Sequence, residues 1–246
     1  MAFIIQWFLF IPAYMFQTEK FFDLSGSFTY ITITTYVFYE SYLFKDFNLG
    51  NLVLLLFIFF WAIRLGGFLF LRIYKAGEDR RFRLIKLSPT QFFMTWTLQG
   101  MWVSLCSACA LTAIASDQGI IVNNWFYLGS FLFVFGLIIE IIADYQKTVF
   151  RKEPKNKDNF IKTGLWAYSR HPNYLGEIIL WAGISIISFS SLSGWQYLTL
   201  VSPVFTYFLL VHISGVRILE ANGKKKWGHL KSYQEYLKKT PILLFR

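Results

Sequence analysis

The sequence predicts an all-α integral membrane protein with about seven transmembrane helices, an external N-terminus and a cytoplasmic C-terminus. Of its 246 residues, 55% are hydrophobic, 21% aromatic and only 15% charged, which departs from the composition of soluble domains. Of the 24 Lys and Arg residues, 21 cluster in three segments between apolar runs. The positive-inside rule places those segments in the cytoplasm. The net charge of +10 therefore indicates a membrane surface and excludes a nucleic-acid partner.

Seven apolar stretches follow one another along the chain. The predicted spans are Phe3–Phe16, Phe28–Phe44, Leu52–Leu71, Phe92–Ala115, Trp125–Tyr145, Pro172–Ser190 and Trp195–Leu219. Several are shorter than the usual length of about 20 residues, which indicates tilted helices or polar cavities near the inner face. No basic region precedes the first stretch, so we interpret it as a span and not as a cleaved signal. We expect one membrane domain over residues 1–246.

The most informative stretch reads G-L-W-A-Y-S-R-H-P-N-Y-L-G-E and ends in an apolar segment. Pro172 suits the first turn of a helix, where its missing N–H costs nothing. Cations beside the exposed N–H groups of a helix start form a candidate anion site. The polar side chains around this start are Arg170, His171, Asn173, Tyr174 and Glu177. A basic surface turn that only orients the helix is the alternative, but an acid inside an apolar span favours function.

Two carboxylates share one face near the end of the fifth predicted span. Glu140 and Asp144 are four residues apart, and Arg151 follows seven residues later. Acids that accept from sugar hydroxyls, beside an Arg that binds phosphate, suit a ribosyl phosphate ligand. A helix end whose acids pair with neighbouring cations explains the spacing equally well.

Two further polar regions each allow a functional and a structural interpretation. The loop R-I-Y-K-A-G-E-D-R-R-F-R carries Arg72, Arg80 and Arg81, and is either a flap over a polyanion or a solvated anchor. Glu19 and Asp23 lie in an acidic and hydroxylic turn between the first two spans. A carboxyl in a low-dielectric cavity could donate a proton, whereas a hydrated turn with helix caps is the alternative. We expect no metal site, since no second His lies at ligand spacing.

Several motifs resemble the steroid 5-alpha-reductase superfamily, in particular its uncharacterised branch of short membrane proteins, a domain-of-unknown-function family. They are L-W-A-Y-S-R-H-P-N-Y-L-G-E, the upstream E-I-I-A-D-Y-Q-K-T-V-F-R and the final Y-x-x-Y-x-x-x-T-P. The turn T-E-K-F-F-D-L-S-G-S and the segment R-L-G-G-F-L-F-L-R are similar to that branch too. The resemblance is strongest over residues 140–246 and looser before them.

The resemblance implies a reductase that takes NADPH from the cytoplasmic face and reduces the activated C=C bond of a lipid or steroid enone. It implies substrate-side helices in residues 1–91 and an NADPH-binding core in residues 92–246. Glu19 or Asp23 would stabilise the enolate oxygen of the substrate. The implied cofactor-binding residues are Glu140, Asp144, Arg151, Tyr168, Arg170, His171, Asn173, Tyr174 and Glu177, with Arg72, Arg80, Arg81 and Arg217 from the basic loops.

Two other functions stay open. Isoprenylcysteine carboxyl methyltransferases and phospholipid methyltransferases also carry an R-H-P-x-Y turn, which makes an S-adenosylmethionine-dependent methyltransferase the alternative enzyme. Those enzymes have a Glu-Glu pair after the last span, whereas this chain has one acid in R-I-L-E-A-N-G. A non-catalytic lipid-binding membrane protein is the third possibility. Under each hypothesis the partners are membrane lipids, in a bacterial inner membrane or the endoplasmic reticulum.

Overall fold

The computed structural model of the chain describes residues 1–79, 81–213 and 215–243, and over these residues it is helical without any β-strand. Its α-helices are α1 Ala2–Met15, α2 Phe22–Phe44, α3 Leu49–Ala76, α4 Phe82–Ile85, α5 Pro89–Ala115, α6 Asn124–Lys152, α7 Pro172–Phe189, α8 Val201–Phe208, α9 Val216–Trp227 and α10 Lys231–Lys239. Shorter 3-10 turns cover Pro154–Asn156, Gly164–Ala167 and Gly194–Leu200, and a π-helical turn covers Leu209–Ile213. The predicted all-α fold is confirmed.

Four helical stretches of the described chain are long and apolar enough to cross a membrane. They are Leu49–Ala76, Pro89–Ala115, Asn124–Lys152 and Gly194–Trp227. These stretches support an integral membrane protein. The count of seven spans and the orientation of the termini stay predictions.

The helix bounds differ from the predicted spans at two places. The second helix begins at Phe22, so Asp23 lies in its first turn and not in a connecting turn. An acid there is favourable because it faces the positive end of the helix dipole. The last predicted span divides into a 3-10 turn, α8, a π-helical turn and α9. Pro203 lies in the first turn of α8, where the missing N–H of proline prevents a continuous helix from the preceding turn.

The described chain forms two compact units, of which the first contains Met1–Phe126 and Ser188–Val201. Buried amides join its helices: Gln6 of α1 donates to the Ser25 carbonyl oxygen and to Thr29 Oγ1 of α2. Gln99 of α5 donates to the Phe22 carbonyl oxygen at 2.8 Å. These polar contacts fix the register of α1, α2 and α5. The resemblance implies that α5 belongs to the NADPH-binding core of residues 92–246. In the structure α5 packs against α1 and α2 of the first unit.

The second unit contains Tyr127–Ile187 and the chain from Ser202 onward. Its helices α6 and α7 approach so closely that only glycine fits between them. A methyl group added at Gly176 would lie 2.5 Å from the carbonyl oxygen of Gly136, and one added at Gly183 would lie 2.6 Å from that of Gly129. The second contact lies seven residues earlier on α6 and seven residues later on α7 than the first. The two helices are therefore antiparallel, and small residues form their contact.

Candidate functional site

The turn before α7 is held by the C-terminal segment of the second unit. The backbone N–H groups of Arg170 and His171 donate to the carbonyl oxygens of Pro241 and Ile242 at 3.0 and 3.2 Å. The Tyr236 hydroxyl donates to the Trp166 carbonyl oxygen at 2.7 Å. These bonds fix the chain direction at the start of α7.

One carboxylate of α9 binds the Arg170 and His171 side chains of this turn. Glu220 Oε2 lies 2.5 Å from Arg170 Nη1, and Glu220 Oε1 lies 2.8 Å from His171 Nε2. The ring of His171 also stacks on Tyr174, with 5.9 Å between centroids. The side chains of the start of α7 are therefore fixed from α9 and from their own helix.

Three polar atoms at this start are buried and have no hydrogen-bond partner among the residues that the structure describes. They are Arg170 Nε, His171 Nδ1 and Asn173 Oδ1. Buried polar groups are rarely left unpaired, because each costs about 1–3 kcal/mol when it loses its hydrogen bond. A cluster of three within four residues therefore marks a place where a ligand can bind.

The glycine contact brings the acids of α6 to the same level as this start. The backbone nitrogen of Glu140 lies 2.7 Å from the position of an added methyl group at Gly176. Continued antiparallel pairing sets Glu140 level with Pro172, the first residue of α7. One turn further along α6, the Ala143 carbonyl oxygen accepts from Trp166 Nε1 at 3.1 Å, next to Asp144. Both carboxylates are buried, with 2% of Glu140 exposed and 9% of Asp144. Glu177, one residue after Gly176, is buried too.

Three of the other predicted cofactor residues are exposed in the second unit. Arg151 is exposed on the last turn of α6, Tyr168 is exposed before α7, and Arg217 is exposed in the first turn of α9. In the first unit, Arg72 lies 6.0 Å from the ring of Phe68. The predicted Arg80 lies outside the described residues.

Arg81 and the two predicted acids of the first unit belong to a network that holds the loop after α3. Glu19 is buried, and its carboxylate accepts from Lys86 Nζ at 2.7 Å and from the Asp79 N–H at 2.9 Å. The Arg81 side chain binds the carboxylate of Asp79 and lies 3.9 Å from that of Asp23. Asp23 Oδ2 is buried and accepts no hydrogen bond from the described part of the chain. The catalytic role of either acid stays a prediction.

Comparisons with known proteins give the family. A profile described as "Protein of unknown function (DUF1295)" matches residues 9–240. The chain belongs to the DUF1295 family. This confirms the branch that the motifs indicate within the steroid 5-alpha-reductase superfamily.

Curated relatives of this DUF1295 protein include enzymes of two classes. It is 28% identical over 134 residues to 3-oxo-5-alpha-steroid 4-dehydrogenase 1 of Bos taurus, covering 52% of this chain and 47% of the relative. It is 30% identical over 119 residues to 3-oxo-5-alpha-steroid 4-dehydrogenase 2 of Homo sapiens, covering 48% and 41%. It is also 30% identical over 114 residues to "Probable O-methyltransferase ustE" of Ustilaginoidea virens, covering 40% of each. The chain thus spans less than half the length of each. No solved structure matches it.

Sequence reasoning missed the role of Glu220 in this DUF1295 site. The motif R-I-L-E-A-N-G drew attention to that acid only as a departure from methyltransferases. The structure pairs it with Arg170 and His171, about 50 residues earlier in the chain. The available signal was a lone acid one turn before a run of three lysines, and that spacing predicts a pair with Lys224 on the same helix and not a contact with the turn before α7.

We expect the stability of this DUF1295 protein to depend on pH through the pKa of His171. Burial lowers this pKa below 6.5, and Lys147 and Arg170 lower it further, although the hydrogen bond and charge of Glu220 oppose the shift. Below about pH 6.5 the unfolded state binds a proton that the folded state does not, so the free energy of unfolding falls as pH decreases. We expect His171→Gln to lose part of this decrease between pH 7.5 and 5 in thermal unfolding. The exposed His229, changed to Gln, is the control, and equal profiles for both variants would contradict the assignment.

Proposed function

We propose that this DUF1295 protein is a membrane-embedded NADPH-dependent reductase that transfers a hydride to the activated C=C bond of a lipid or steroid enone. The observation that carries the proposal is the set of unpartnered buried atoms of Arg170, His171 and Asn173 beside the carboxylates of α6. The names of the 3-oxo-5-alpha-steroid 4-dehydrogenases among its relatives suggest the reaction class.

The residues present fit a phosphorylated dinucleotide. Glu140 and Asp144 accept hydrogen bonds, which suits the hydroxyl or amino groups of a nucleoside. Arg151, at the exposed end of the same helix, offers a planar set of donors to phosphate. Tyr168 and Asn173 add polar contacts at the start of α7, and Arg217 adds a further cation. When bound, NADPH supplies the hydride.

Arg151→Ala is expected to weaken NADPH binding at least tenfold, because a phosphate loses a charge-assisted hydrogen bond. Lys152→Ala removes a neighbouring exposed cation from the same turn and is the matched control. Isothermal titration of the detergent-purified variants measures both dissociation constants. Equal weakening in the two variants would reduce the role of Arg151 to general charge attraction.

The substrate side of the proposal is an apolar cavity in the first unit. It has a volume of about 590 Å³, and its described lining, which comes from α1, α2, α3 and the residue before α2, contains no charged side chain. Its polar lining consists of the hydroxyls of Ser25 and Ser27. A neutral, mostly apolar ligand fits this chemistry. Asp23 directly precedes the lining residues Leu24 and Ser25 and is the stronger candidate for the enolate-stabilising acid, since both carboxylate oxygens of Glu19 are occupied.

Gly67→Leu is expected to block this cavity. A methyl group added at Gly67 meets no atom within 4 Å, so a larger side chain extends into open space without displacing its neighbours. We expect at least a tenfold loss in kcat/KM for the lipid substrate, with an unchanged dissociation constant for NADPH. Leu71→Phe enlarges an exposed position of the same helix and is the control. Full activity of Gly67→Leu would place the substrate elsewhere.

Hydride transfer is tested by isotope labelling. The wild-type protein is supplied with NADPH deuterated at the transferred position and with a mixture of membrane-lipid enones. The proposal expects a saturated carbonyl product that has gained two hydrogens at the former C=C bond, the labelled hydride at the β-carbon and a proton at the α-carbon, as resolved by mass spectrometry. Label that stays on the nucleotide would contradict it.

For the membrane arrangement we propose seven spans, with an external N-terminus and the three basic segments in the cytoplasm of a bacterial inner membrane or the endoplasmic reticulum. The shorter helices α1, α2 and α7 join the four long stretches in this topology. Reaction of an engineered cysteine at exposed Lys225 with an impermeant reagent tests the side of the C-terminal segment. Labelling from the outer side would contradict the orientation.

S-adenosylmethionine-dependent methyl transfer is the second candidate, favoured by the similarity to "Probable O-methyltransferase ustE". The Arg170–His171 turn and its partner Glu220 occur in one buried cluster, which is compatible with either cofactor. A non-catalytic lipid-binding protein would keep the apolar cavity and bind neither cofactor. Direct binding separates the three.

A further inference from the structure

Glu220 is hydrogen-bonded to two side chains at the start of α7. Its carboxylate is bound to Arg170, which keeps it ionised, and an ionised carboxylate only accepts hydrogen bonds. His171 Nε2 lies 2.8 Å from Glu220 Oε1, so this nitrogen must carry the hydrogen. A neutral imidazole has one N–H, which leaves a lone pair on the buried Nδ1.

We propose that Glu220 is a positioning residue that fixes this tautomer of His171, and that the start of α7 thereby recognises a ligand edge on which an acceptor atom lies next to an NH₂ group. Arg170 Nε offers one N–H, whereas His171 Nδ1 and Asn173 Oδ1 offer lone pairs. One donor and two acceptors on the protein complement one acceptor and two donors on the ligand.

The proposal rests on the proposed function, because NADPH carries two such edges. One is the carboxamide of the nicotinamide, and the other is the amino edge of the adenine. S-adenosylmethionine carries only the second. The chemistry that the protein recognises is the same for both edges, and analogues that change one edge at a time separate them.

Burial makes this recognition selective. The three protein atoms are already shielded from water in the folded chain, so a matched ligand restores hydrogen bonds that water does not supply. A ligand with a carbonyl oxygen in place of the NH₂ group would set its lone pairs against those of His171 and Asn173. Sites built on buried hydrogen bonds discriminate strongly against ligands that leave them unpaired.

A purely structural role for Glu220 is the alternative, in which it only fastens α9 to the turn. Such a clamp predicts that its removal lowers stability and weakens every ligand alike. The proposed role predicts a change in which ligand is preferred, because Gln in place of Glu220 can donate to His171 Nε2 and move the hydrogen of the imidazole to Nδ1. Nδ1 then changes from acceptor to donor.

The tautomer is directly measurable, because the chain contains three histidines. Nitrogen NMR of the full-length protein with labelled histidine, in detergent micelles, distinguishes protonated from unprotonated ring nitrogens, and His171→Gln assigns the signal. We expect a neutral ring protonated at Nε2 in the wild type and a shift towards Nδ1 protonation in Glu220→Gln. A ring protonated at Nδ1 in the wild type, or an unchanged tautomer in the variant, would overturn the proposal.

Ligand preference is measured by titrating NADPH, its hypoxanthine analogue and its acetylpyridine analogue, in which the adenine amino group and the carboxamide NH₂ are replaced in turn. At least one analogue should bind the wild type about tenfold more weakly than NADPH, and that one names the recognised edge. In Glu220→Gln this ratio should fall towards one, whereas exposed Glu235→Gln should preserve it. Equal binding of all three ligands by the wild type, or an unchanged ratio in Glu220→Gln, would contradict the proposal.

Failure of the proposed function gives a different result. If S-adenosylmethionine binds and NADPH does not, the proposed reductase function is wrong. The dissociation constant of S-adenosylmethionine is then compared with that of its inosine counterpart, and the same tenfold difference is expected. If neither cofactor binds, both the proposed function and the proposed recognition of a ligand edge are wrong. The NMR measurement then decides only whether Glu220 fixes the tautomer of His171.

Discussion

Gly176→Ala is expected to lower the free energy of unfolding by about 3 kcal/mol, the upper part of the usual range for an overpacked contact. Its new methyl group would lie 2.5 Å from the Gly136 carbonyl oxygen and 2.7 Å from the Glu140 nitrogen. Both are backbone atoms of α6, so neither can rotate away and the two helices must separate. For a chain of this size the loss corresponds to about 6–12 °C in thermal unfolding. Separation would also move Glu140 from the start of α7, so NADPH binding should weaken in parallel.

Gly67→Ala is the matched control, and its expected effect has the opposite sign. No atom lies within 4 Å of an added methyl group at Gly67, and alanine favours a helix over glycine by about 1 kcal/mol. Thermal unfolding of both variants in the same detergent gives the comparison. A Gly176→Ala protein that unfolds at the wild-type temperature would show that α6 and α7 are not in backbone contact.

Lys86→Met is expected to destabilise the first unit by about 3 kcal/mol, because it leaves the carboxylate of Glu19 buried without its cation. Only 2% of the Glu19 side chain is exposed, whereas 21% of that of Lys86 is, so the low end of the range for broken buried pairs applies. The Asp79 N–H remains as the second partner of Glu19. Arg83→Met breaks the exposed pair between Arg83 and Glu78 of the same loop, and we expect no measurable change from it.

A double-mutant cycle separates the structural and catalytic roles of Glu19. If Glu19 holds the loop, Glu19→Gln and Lys86→Met should each lower stability, and the double variant should lose less than the sum of the two. If Glu19 is the proton-donating acid, Glu19→Gln should abolish turnover and Lys86→Met should spare it. Additive losses of stability would show that the two side chains do not act as a pair.

The long helices could be predicted from the sequence because apolar runs and caps are local signals. Pro172 predicted the start of α7, which is where the structure begins it. The four-residue spacing of Glu140 and Asp144 predicted that they share one helix face. Both residues lie on α6 in the structure. The division of the last predicted span was missed, because apolar composition does not distinguish an α-helix from the 3-10 and π-helical turns around Pro203.

The candidate site could be predicted only where its residues are close in sequence. The start of α7 was found from one continuous motif. The partner of Arg170 and His171 was not, because Glu220 comes from another helix and no local pattern encodes a contact across about 50 residues. The antiparallel contact of Gly136 and Gly176 was missed for the same reason, since glycine is common in membrane helices and its register becomes visible only in three dimensions.

The central claim, an NADPH site in this DUF1295 protein, is tested most directly by titrating the detergent-purified chain with NADPH, NADH and S-adenosylmethionine. Calorimetry and thermal unfolding are recorded together. At 100 times its dissociation constant a ligand that binds only the folded state stabilises it by about 2.7 kcal/mol, which is readily detected. Stabilisation by NADPH, weaker with NADH and absent with S-adenosylmethionine, is the result we expect. Stabilisation by S-adenosylmethionine alone would contradict the reductase and establish a methyltransferase site in its place.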